Sequence, residues 1–210
     1  MNTFVIILTT LIFENISIKT TILFPACTSQ MEGEIYFMLD GSYYITKSEF
    51  EEGKQFIYSF VENIMSLGLQ NVKLSVDVFR SEIIHAISLQ NTSSLRYQLG
   101  RVAAIDFTGE SFNQSVLLQY IQETESISVS TNRIFIFVSN GQFLDTHLIE
   151  AVKNSTDNNL TSLLTVGLGQ NVQWDNLESL ASHGYFVFSY KDTDLLVRHL
   201  PKEMTTILCS

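Results

Sequence analysis

Short apolar runs alternate with longer amphipathic segments along most of the chain. Three runs are almost entirely apolar, namely Ile35–Leu39, Ile134–Val138 and Leu163–Val166. Such runs are typical of strands that are buried on both faces of a parallel sheet. Between the first two, Ser48–Leu67 places its apolar residues on one helical stripe. The alternation predicts an α/β fold: a doubly wound, mostly parallel sheet with helices on both faces.

The remaining segments predict an antiparallel edge and further helices. Val72–Phe79 alternates apolar and polar residues, which predicts a strand with one partly polar face. A turn then leads into Ile83–Leu89, a hairpin partner at the sheet edge. Helices are predicted over Leu95–Ala104, Phe112–Glu123, Asp145–Lys153, Asp175–Ser182 and Asp194–Leu208, and a short strand over Tyr185–Phe188. No repeat or linker divides the chain, so we expect one domain.

The N-terminal segment differs from the rest of the chain in composition. It is poor in charge, and its apolar run Phe4–Phe13 is too short to span a bilayer. We interpret residues 1–26 as a signal peptide and residues 27–209 as the domain. A buried N-terminal strand is the alternative interpretation.

Two cysteines, Cys27 and Cys209, lie at the two ends of that domain. Their number and placement favour a disulfide that joins the termini, with two unpaired thiols as the alternative. Five N-glycosylation sequons also fit an extracellular protein. They begin at Asn15, Asn91, Asn113, Asn154 and Asn159. Together these features predict secretion.

Charge and motif content exclude several classes of function. The formal net charge is −10 and the Lys and Arg residues are scattered, which argues against nucleic acid and against an anionic membrane surface as partners. The sequence contains neither a Gly-x-x-x-x-Gly-Lys phosphate loop nor a Gly-x-Ser-x-Gly nucleophile elbow. The histidines show no metal-ligand spacing; they are His85, His147, His183 and His199. We predict that the protein is not an enzyme.

The best candidate for a functional edge follows the first strand. Asp40-Gly41-Ser42 comes directly after the apolar run, and open α/β sheets bind ligands just beyond the carboxyl ends of their strands. Tyr43 and Tyr44 come next, and either could anchor a protein partner or pack in the core. Trp174 is expected to pack against the helix that follows it.

Several further segments recur in the order and spacing of one known family. They are EIYFMLDGSYYIT, VKLSVDVF, FTGESFNQSVL, RIFIFVSNG, LLTVGLG, NLESLAS and YFVFSY, bracketed by the two cysteines. Over residues 27–209 the sequence resembles a von Willebrand factor type A domain, the kind found in matrilins, collagen VI-like chains and integrins. The resemblance implies a Rossmann-like sheet of six strands with one small antiparallel edge strand.

The resemblance also implies a metal-ion-dependent adhesion site, which the family builds from three loops. These carry Asp-x-Ser-x-Ser after the first strand, a Thr before a central helix, and an Asp after the fourth strand. In this chain Asp40 and Ser42 match the motif, Ser111 takes the place of the Thr, and Asn140 takes the place of the second Asp. Tyr44 stands where the family has its second Ser.

Two of these departures weaken the implied metal site. The Asn140 amide lacks a charge whose attraction to a cation at about 5 Å is worth roughly 1–3 kcal/mol. The phenol oxygen of Tyr44 lies too far from its backbone to ligate as a serine would. Glu110 and Asp145 are carboxylates in neighbouring loops that could compensate. We therefore expect no tightly bound cofactor, with weak Mg²⁺ binding as the alternative.

The sequence thus predicts a secreted, non-enzymatic adhesion module that binds an extracellular matrix protein, with collagen-like proteins as the class that the resemblance implies. Binding would use the degenerate metal site or another surface. Two alternatives stay open. One is a Mg²⁺- or Mn²⁺-dependent adhesion domain with a compensating carboxylate, and the other is a structural matrix-assembly module without a ligand of its own.

Overall fold

The computed structural model describes residues 33–66, 71–127, 132–157 and 160–196. Within these ranges one sheet contains the strands β1 Gly33–Asp40, β2 Val72–Phe79, β3 Ile83–Asn91, β4 Arg133–Ser139, β5 Thr161–Gly167 and β6 Val187–Ser189. The helices are α1 Lys47–Ser66, α2 Thr92–Ala103, α3 Gln114–Ile127, α4 Thr146–Ser155 and α5 Trp174–Leu180. The strand order is β3-β2-β1-β4-β5-β6, and every neighbouring pair is parallel except β2 with β3. The predicted fold, including its antiparallel edge, is confirmed.

β1 lies at the centre of the sheet and is buried along its whole length. Its side chains alternate between two apolar clusters. Ile35, Phe37 and Leu39 face the side that α1 and α2 cover, whereas Tyr36 and Met38 face the side that α3, α4 and α5 cover. Since both faces are covered, the strand has no solvent-exposed side, which explains its uninterrupted apolar sequence.

α1 begins immediately after the loop that follows β1. The Thr46 hydroxyl accepts a hydrogen bond from the Glu49 backbone N–H at 3.2 Å, and the Glu49 carboxylate accepts one from the Thr46 N–H at 2.7 Å. This reciprocal capping box satisfies two donors at the helix N-terminus. It fixes the point at which the loop ends, so residues 40–46 form a short and well-defined segment.

The middle of α1 rests directly on the sheet. A Cβ added at Gly53 would lie 2.5 Å from the Leu39 side chain, 3.2 Å from that of Leu168 and 3.4 Å from that of Val138. A glycine is therefore required here for the close approach of helix and sheet. The contact holds α1 against the carboxyl-terminal half of the parallel strands.

Two details differ from the sequence expectations, and one adds to them. The polar residues Ser75 and Asp77 of β2 are buried and hydrogen-bonded, Asp77 also to Tyr120 of α3, whereas Lys73 on the same face is exposed. The strand predicted from Tyr185 starts later, since residues 184–186 form a 3₁₀ turn before β6. α5 also ends two residues before the predicted Ser182.

Other expectations concern residues outside the described ranges. These are the signal segment with Phe4–Phe13, the cysteines Cys27 and Cys209, the sequons at Asn15 and Asn159, and most of the helix predicted over Asp194–Leu208. They remain predictions.

No helix in the described parts of the chain has the length and apolar character needed to cross a membrane.

We expect Gly53→Ala to destabilise the protein by about 1–3 kcal/mol, because the new methyl group must displace tightly packed core side chains. The matched control is Gly100→Ala in α2, where a Cβ would meet nothing within 4 Å. This control should stabilise the protein by about 0.5–1 kcal/mol through helix propensity. Urea unfolding monitored by circular dichroism measures both changes, and a neutral Gly53→Ala would contradict the close helix–sheet contact.

Candidate functional site

Asp40, the last residue of β1, is completely buried at the carboxyl edge of the sheet. Its Oδ1 accepts hydrogen bonds from the Ser42 N–H at 2.9 Å and from the Ser42 hydroxyl at 2.7 Å. Its Oδ2 accepts one from the Ser139 hydroxyl at 2.6 Å. Burial raises the pKa of Asp40, whereas the hydrogen bonds from Ser139 and Ser42 oppose that rise. The protein's own hydroxyl groups thus compensate much of the cost of burying this carboxyl group.

Asn140 joins the loop after β4 to the loop after β1. Its side-chain Nδ2 donates a hydrogen bond to the Tyr44 carbonyl at 2.8 Å, and its Oδ1 accepts one from the Gln142 N–H at 3.0 Å. The residue is 1% exposed. Both ends of the amide are therefore engaged within the protein, and the bond to Tyr44 requires a donor that an aspartate could not provide.

The rings of Tyr43 and Tyr44 lie against each other beside these loops, tilted by 32°. Their ring centroids lie 4.3 Å apart, with Tyr43 58% exposed and Tyr44 partly buried against the core under α3 to α5. The pKa of Tyr44 is raised, mostly by the neighbouring Tyr43 hydroxyl and less by burial and by the charges of Asp145 and Asp40. The structure thus gives both expected roles to one dipeptide: Tyr44 packs and Tyr43 faces the solvent.

The loop that contains Ser111 lies against the same edge. Ser42 forms an isolated parallel bridge with Glu110, and the Tyr43 N–H donates to the Glu110 carbonyl at 2.9 Å. Ser111 follows directly and is exposed. The three loops that the family resemblance implied therefore meet at the carboxyl ends of β1 and β4.

The Glu110 side chain is held by other residues. Its Oε1 forms an ion pair with the Arg80 guanidinium at 3.0 Å and accepts a hydrogen bond from the Thr108 hydroxyl at 3.1 Å. Its Oε2 accepts a hydrogen bond from the Ser81 hydroxyl. The hydrogen bond from Ser81 contributes most to lowering the pKa of Glu110. This carboxylate binds the turn between β2 and β3 to the Ser111 loop.

Asp145 is also committed to a local role. Its Oδ1 accepts a hydrogen bond from the Leu148 N–H at 2.7 Å and so caps the N-terminus of α4. Its Oδ2 accepts a hydrogen bond from Gln114 Nε2 at 3.1 Å. The cap bond is the largest cause of the lowered pKa of Asp145. Neither compensating carboxylate is positioned by the chain primarily for a metal ion.

These contacts make the edge a poor fit for a tightly held divalent cation. Such ions need several oxygen ligands with free lone pairs and usually one or two carboxylates. Here Asp40 already accepts three hydrogen bonds, which leaves about one of its four acceptor positions free. The Asn140 oxygen accepts one hydrogen bond, and the Ser42 hydroxyl accepts one from the Tyr44 N–H at 3.3 Å while donating to Asp40. Across the described ranges no three His, Cys, Asp or Glu residues converge as a metal site would require.

The sequence analysis did not predict a polar cluster on the face of β2 that contacts α3. Asp77 is fully buried and accepts hydrogen bonds from the Ser75 hydroxyl at 2.8 Å and the Tyr120 hydroxyl at 2.7 Å. It also contacts His85 Nδ1 at 2.7 Å. Burial raises the pKa of Asp77, while the bonds from Tyr120, His85 and Ser75 oppose it. The alternation in β2 contained the signal, because an acidic residue mid-strand requires partners when its face is covered.

Three sequons fall on exposed positions of the described chain: Asn91, Asn113 and Asn154. Asn113 lies nearest to the Ser111 loop, and its side-chain oxygen accepts the N–H groups of Ser115 at 3.1 Å and Val116 at 3.4 Å. It therefore caps α3. A glycan on its nitrogen would be compatible with this cap and would lie beside the edge.

We expect Asn140→Asp to destabilise the protein by about 1–3 kcal/mol, since the new carboxylate loses the donor to the Tyr44 carbonyl and faces it with an acceptor. Because the change also restores a second acidic group, Mg²⁺ should recover part of this loss. Thermal unfolding with Mg²⁺ and with EDTA measures both effects, with the exposed Asn154→Asp as the control. Equal stabilisation of the unmodified protein by Mg²⁺ would contradict the poor metal fit.

Tyr120→Phe should cost about 1.5–3 kcal/mol, because it removes a hydroxyl that donates to a buried, ionisable carboxyl group. Tyr97→Phe is the control, since Tyr97 is 85% exposed on α2. Chemical denaturation of both variants gives the two values. Equal effects would show that the Tyr120 hydroxyl is not needed to hold Asp77.

Comparisons with known proteins give concordant findings. The collagen alpha-1(XII) chain of Notophthalmus viridescens is 22% identical over 190 residues, which cover 88% of this chain and 20% of that protein. This chain therefore spans only a fifth of that relative's length.

Two solved structures share the fold. An aerotolerance-related membrane protein from Bacteroides fragilis superposes with a TM-score of 0.64 at 13% identity, covering 83% of this chain and 99% of that one. Proximal thread matrix protein 1 from the mussel byssus, solved with a zinc-occupied metal-ion-dependent adhesion motif, gives 0.60 at 15% identity, covering 82% and 48% respectively. The sequence model described as the von Willebrand factor type A domain matches residues 34–202. This match spans most of the chain and agrees with the sheet order and the three-loop edge, so the chain belongs to the von Willebrand factor type A domain family.

Proposed function

We propose that this chain is a secreted, non-enzymatic adhesion module that binds an extracellular matrix protein through the carboxyl edge of its sheet, without a divalent cation as a bridge. The observation that carries the proposal is the 2.8 Å hydrogen bond from Asn140 Nδ2 to the Tyr44 carbonyl. It joins, by a direct protein contact, two loops that a cation would otherwise connect.

The rest of the edge supports this view. Asp40 accepts hydrogen bonds from the Ser42 and Ser139 hydroxyls, and these bonds offset part of the cost of burying it without an ion. The bridge between Ser42 and Glu110 adds the third loop. An edge whose loops are joined by hydrogen bonds is pre-organised for binding and loses less entropy when it meets a partner.

Tyr43 is the residue best placed to make contact. Its ring is exposed and lies 4.3 Å from the Tyr44 ring, centroid to centroid, and the Tyr44 backbone is held by Asn140. We expect this contact to restrict the motion of Tyr43. Rigid aromatic side chains supply much of the energy of protein interfaces. Trp174, 42% exposed at the end of the neighbouring β5 loop, adds a second aromatic surface on this edge.

The relatives support a matrix setting. One relative is a collagen chain and one solved structure is named a matrix protein, and family membership supports adhesion rather than catalysis. The zinc-occupied motif of the mussel protein favours the rival in which this edge holds a metal. The engagement of Glu110 by Arg80 and the cap role of Asp145 argue against that rival here.

The test is capture of purified matrix proteins, such as fibrillar collagens, by the secreted glycosylated protein with and without EDTA. We expect capture that EDTA leaves unchanged and that Tyr43→Ser reduces by about tenfold, as for loss of a central interface aromatic. Tyr97→Ser, at an exposed tyrosine on α2, is the matched control and should bind normally.

Capture that EDTA abolishes would establish the metal-dependent rival. Self-association with no capture of any matrix protein would favour the structural assembly module.

A glycan at Asn113 would restrict access to the same edge. Ser115→Ala removes this sequon but keeps the Asn113 side chain as the cap of α3, so folding should not change. If the partner binds at this edge, Ser115→Ala should strengthen capture or leave it equal. Weaker capture would indicate that the glycan itself takes part in binding.

A further inference from the structure

A cleft of about 230 Å³ lies between α1 and the 3₁₀ turn Tyr190–Asp192, which directly follows β6. One wall is a stripe of α1 that contains Glu52, Phe56 and Ser59. These residues are three or four positions apart, which places them on one face of the helix. The turn and Thr193 form the other wall.

Glu52 brings an incompletely solvated charge to this cleft. Its Oε2 is shielded from solvent and accepts no hydrogen bond, and the ion pairs among the described residues do not include Glu52. A shielded acceptor without a donor is rare in folded proteins, because it costs stability. A cation that binds to this carboxylate would meet a charge that water screens poorly.

The wall opposite Glu52 is held in place by its own hydrogen bonds. The Ser189 N–H donates to Asp192 Oδ2 at 3.1 Å, and the Lys191 N–H donates to the Ser189 hydroxyl at 3.3 Å. Lys191 also lines the cleft, but its Nζ lies 5.4 Å from the centroid of the Tyr190 ring and forms no ion pair with Glu52. The chain's own lysine therefore leaves the Glu52 charge uncompensated.

The size and lining of the cleft favour a single side chain with a cationic tip. Pockets for complete small molecules enclose about 300–1,000 Å³, which is more than this cleft offers. Phe56 is buried, and Tyr190 packs against the same apolar cluster, so their surfaces can accept a methylene chain.

An ammonium group suits Glu52 better than a guanidinium group does. A guanidinium donates best to two carboxylate oxygens side by side, and one of the two is shielded here. An ammonium is a compact point charge on a flexible aliphatic chain and needs only one oxygen. The chemistry of the cleft therefore matches lysine.

We propose that the cleft between α1 and the Tyr190–Asp192 turn receives a lysine side chain of a partner protein, with Glu52 as the acceptor for its ammonium group. The formal net charge of −10 favours the approach of a basic partner. The lining residues are distinct from those that join the three loops of the carboxyl edge. This surface is a second one, beyond the proposed function and independent of it.

The experiment titrates the ¹⁵N-labelled full chain with the peptide acetyl-Gly-Lys-Gly-amide and follows backbone amide shifts. Norleucine in place of lysine keeps the aliphatic chain and removes the ammonium group. We expect weak, saturable shifts at Glu52, Ser59 and the Tyr190–Asp192 turn with the lysine peptide, and none with the norleucine peptide. The corresponding arginine peptide should bind more weakly than the lysine peptide.

Matched variants on α1 test the role of Glu52. Glu52→Gln should weaken binding of the lysine peptide by about tenfold, as for loss of a hydrogen bond to a charged group. Glu62→Gln removes an exposed charge from the same helix and should not change binding.

Thermal unfolding gives a second measurement. Glu52→Met should raise the midpoint of unfolding, because the carboxylate it removes has a shielded oxygen without a donor. Glu62→Met should leave the midpoint nearly unchanged. A lower midpoint for Glu52→Met would show that Glu52 serves the fold and would contradict the proposal.

Equal binding of the norleucine peptide, or equal losses with Glu52→Gln and Glu62→Gln, would overturn the proposal, as would equal binding of the arginine peptide. Peptide binding that appears only in Lys191→Met would show that the chain's own lysine occupies the cleft. Binding of n-butylammonium without binding of the lysine peptide would show a site for a small amine. Either of these last two results would overturn the assignment to a partner's lysine.

Discussion

A carboxyl group buried at the end of the central strand is the constraint on which the rest of the edge depends. Asp40 has no access to solvent, so each of its oxygens must receive a hydrogen bond from the protein. Ser42, in the loop after β1, and Ser139, the last residue of β4, meet that requirement. The positions of the loops after β1 and β4 then bring Tyr44 and Asn140 into contact, and the direct bond between them follows. The arrangement at the surface is thus a consequence of satisfying one buried group.

Much of the fold could be predicted from the sequence because strands that are buried on both faces consist of uninterrupted apolar residues. The strands at the centre of the sheet consist almost only of apolar residues, and β1 and β4 were located to within two residues at either end. The edge pair β2 and β3 was equally clear, since alternation followed by a short turn is specific to hairpins. The position of each strand in the sheet therefore determined which sequence pattern predicted it.

The sequence predicted which loops lie together at this edge but not the contacts between them. Asp40, Ser42, Ser111 and Asn140 were identified by their places in the chain, and the structure brings their loops together. That Asn140 would donate to a carbonyl of the first loop could not be read from the sequence, because it depends on backbone positions fixed by distant packing. The contacts of Asp77 could not be predicted for the same reason, because its partners Tyr120 and His85 lie on other elements.

The close contact between α1 and the sheet at Gly53 has a consequence for how the helix can move. Gly53 touches the Leu39 side chain without an intervening side chain of its own, so the neighbouring residues Glu52 and Lys54 cannot take its place. Moving the helix along its axis by even one residue would bring a bulkier group into that contact. The contact at Gly53 therefore opposes sliding of α1 along its own axis, which is one of the ways in which packed helices move.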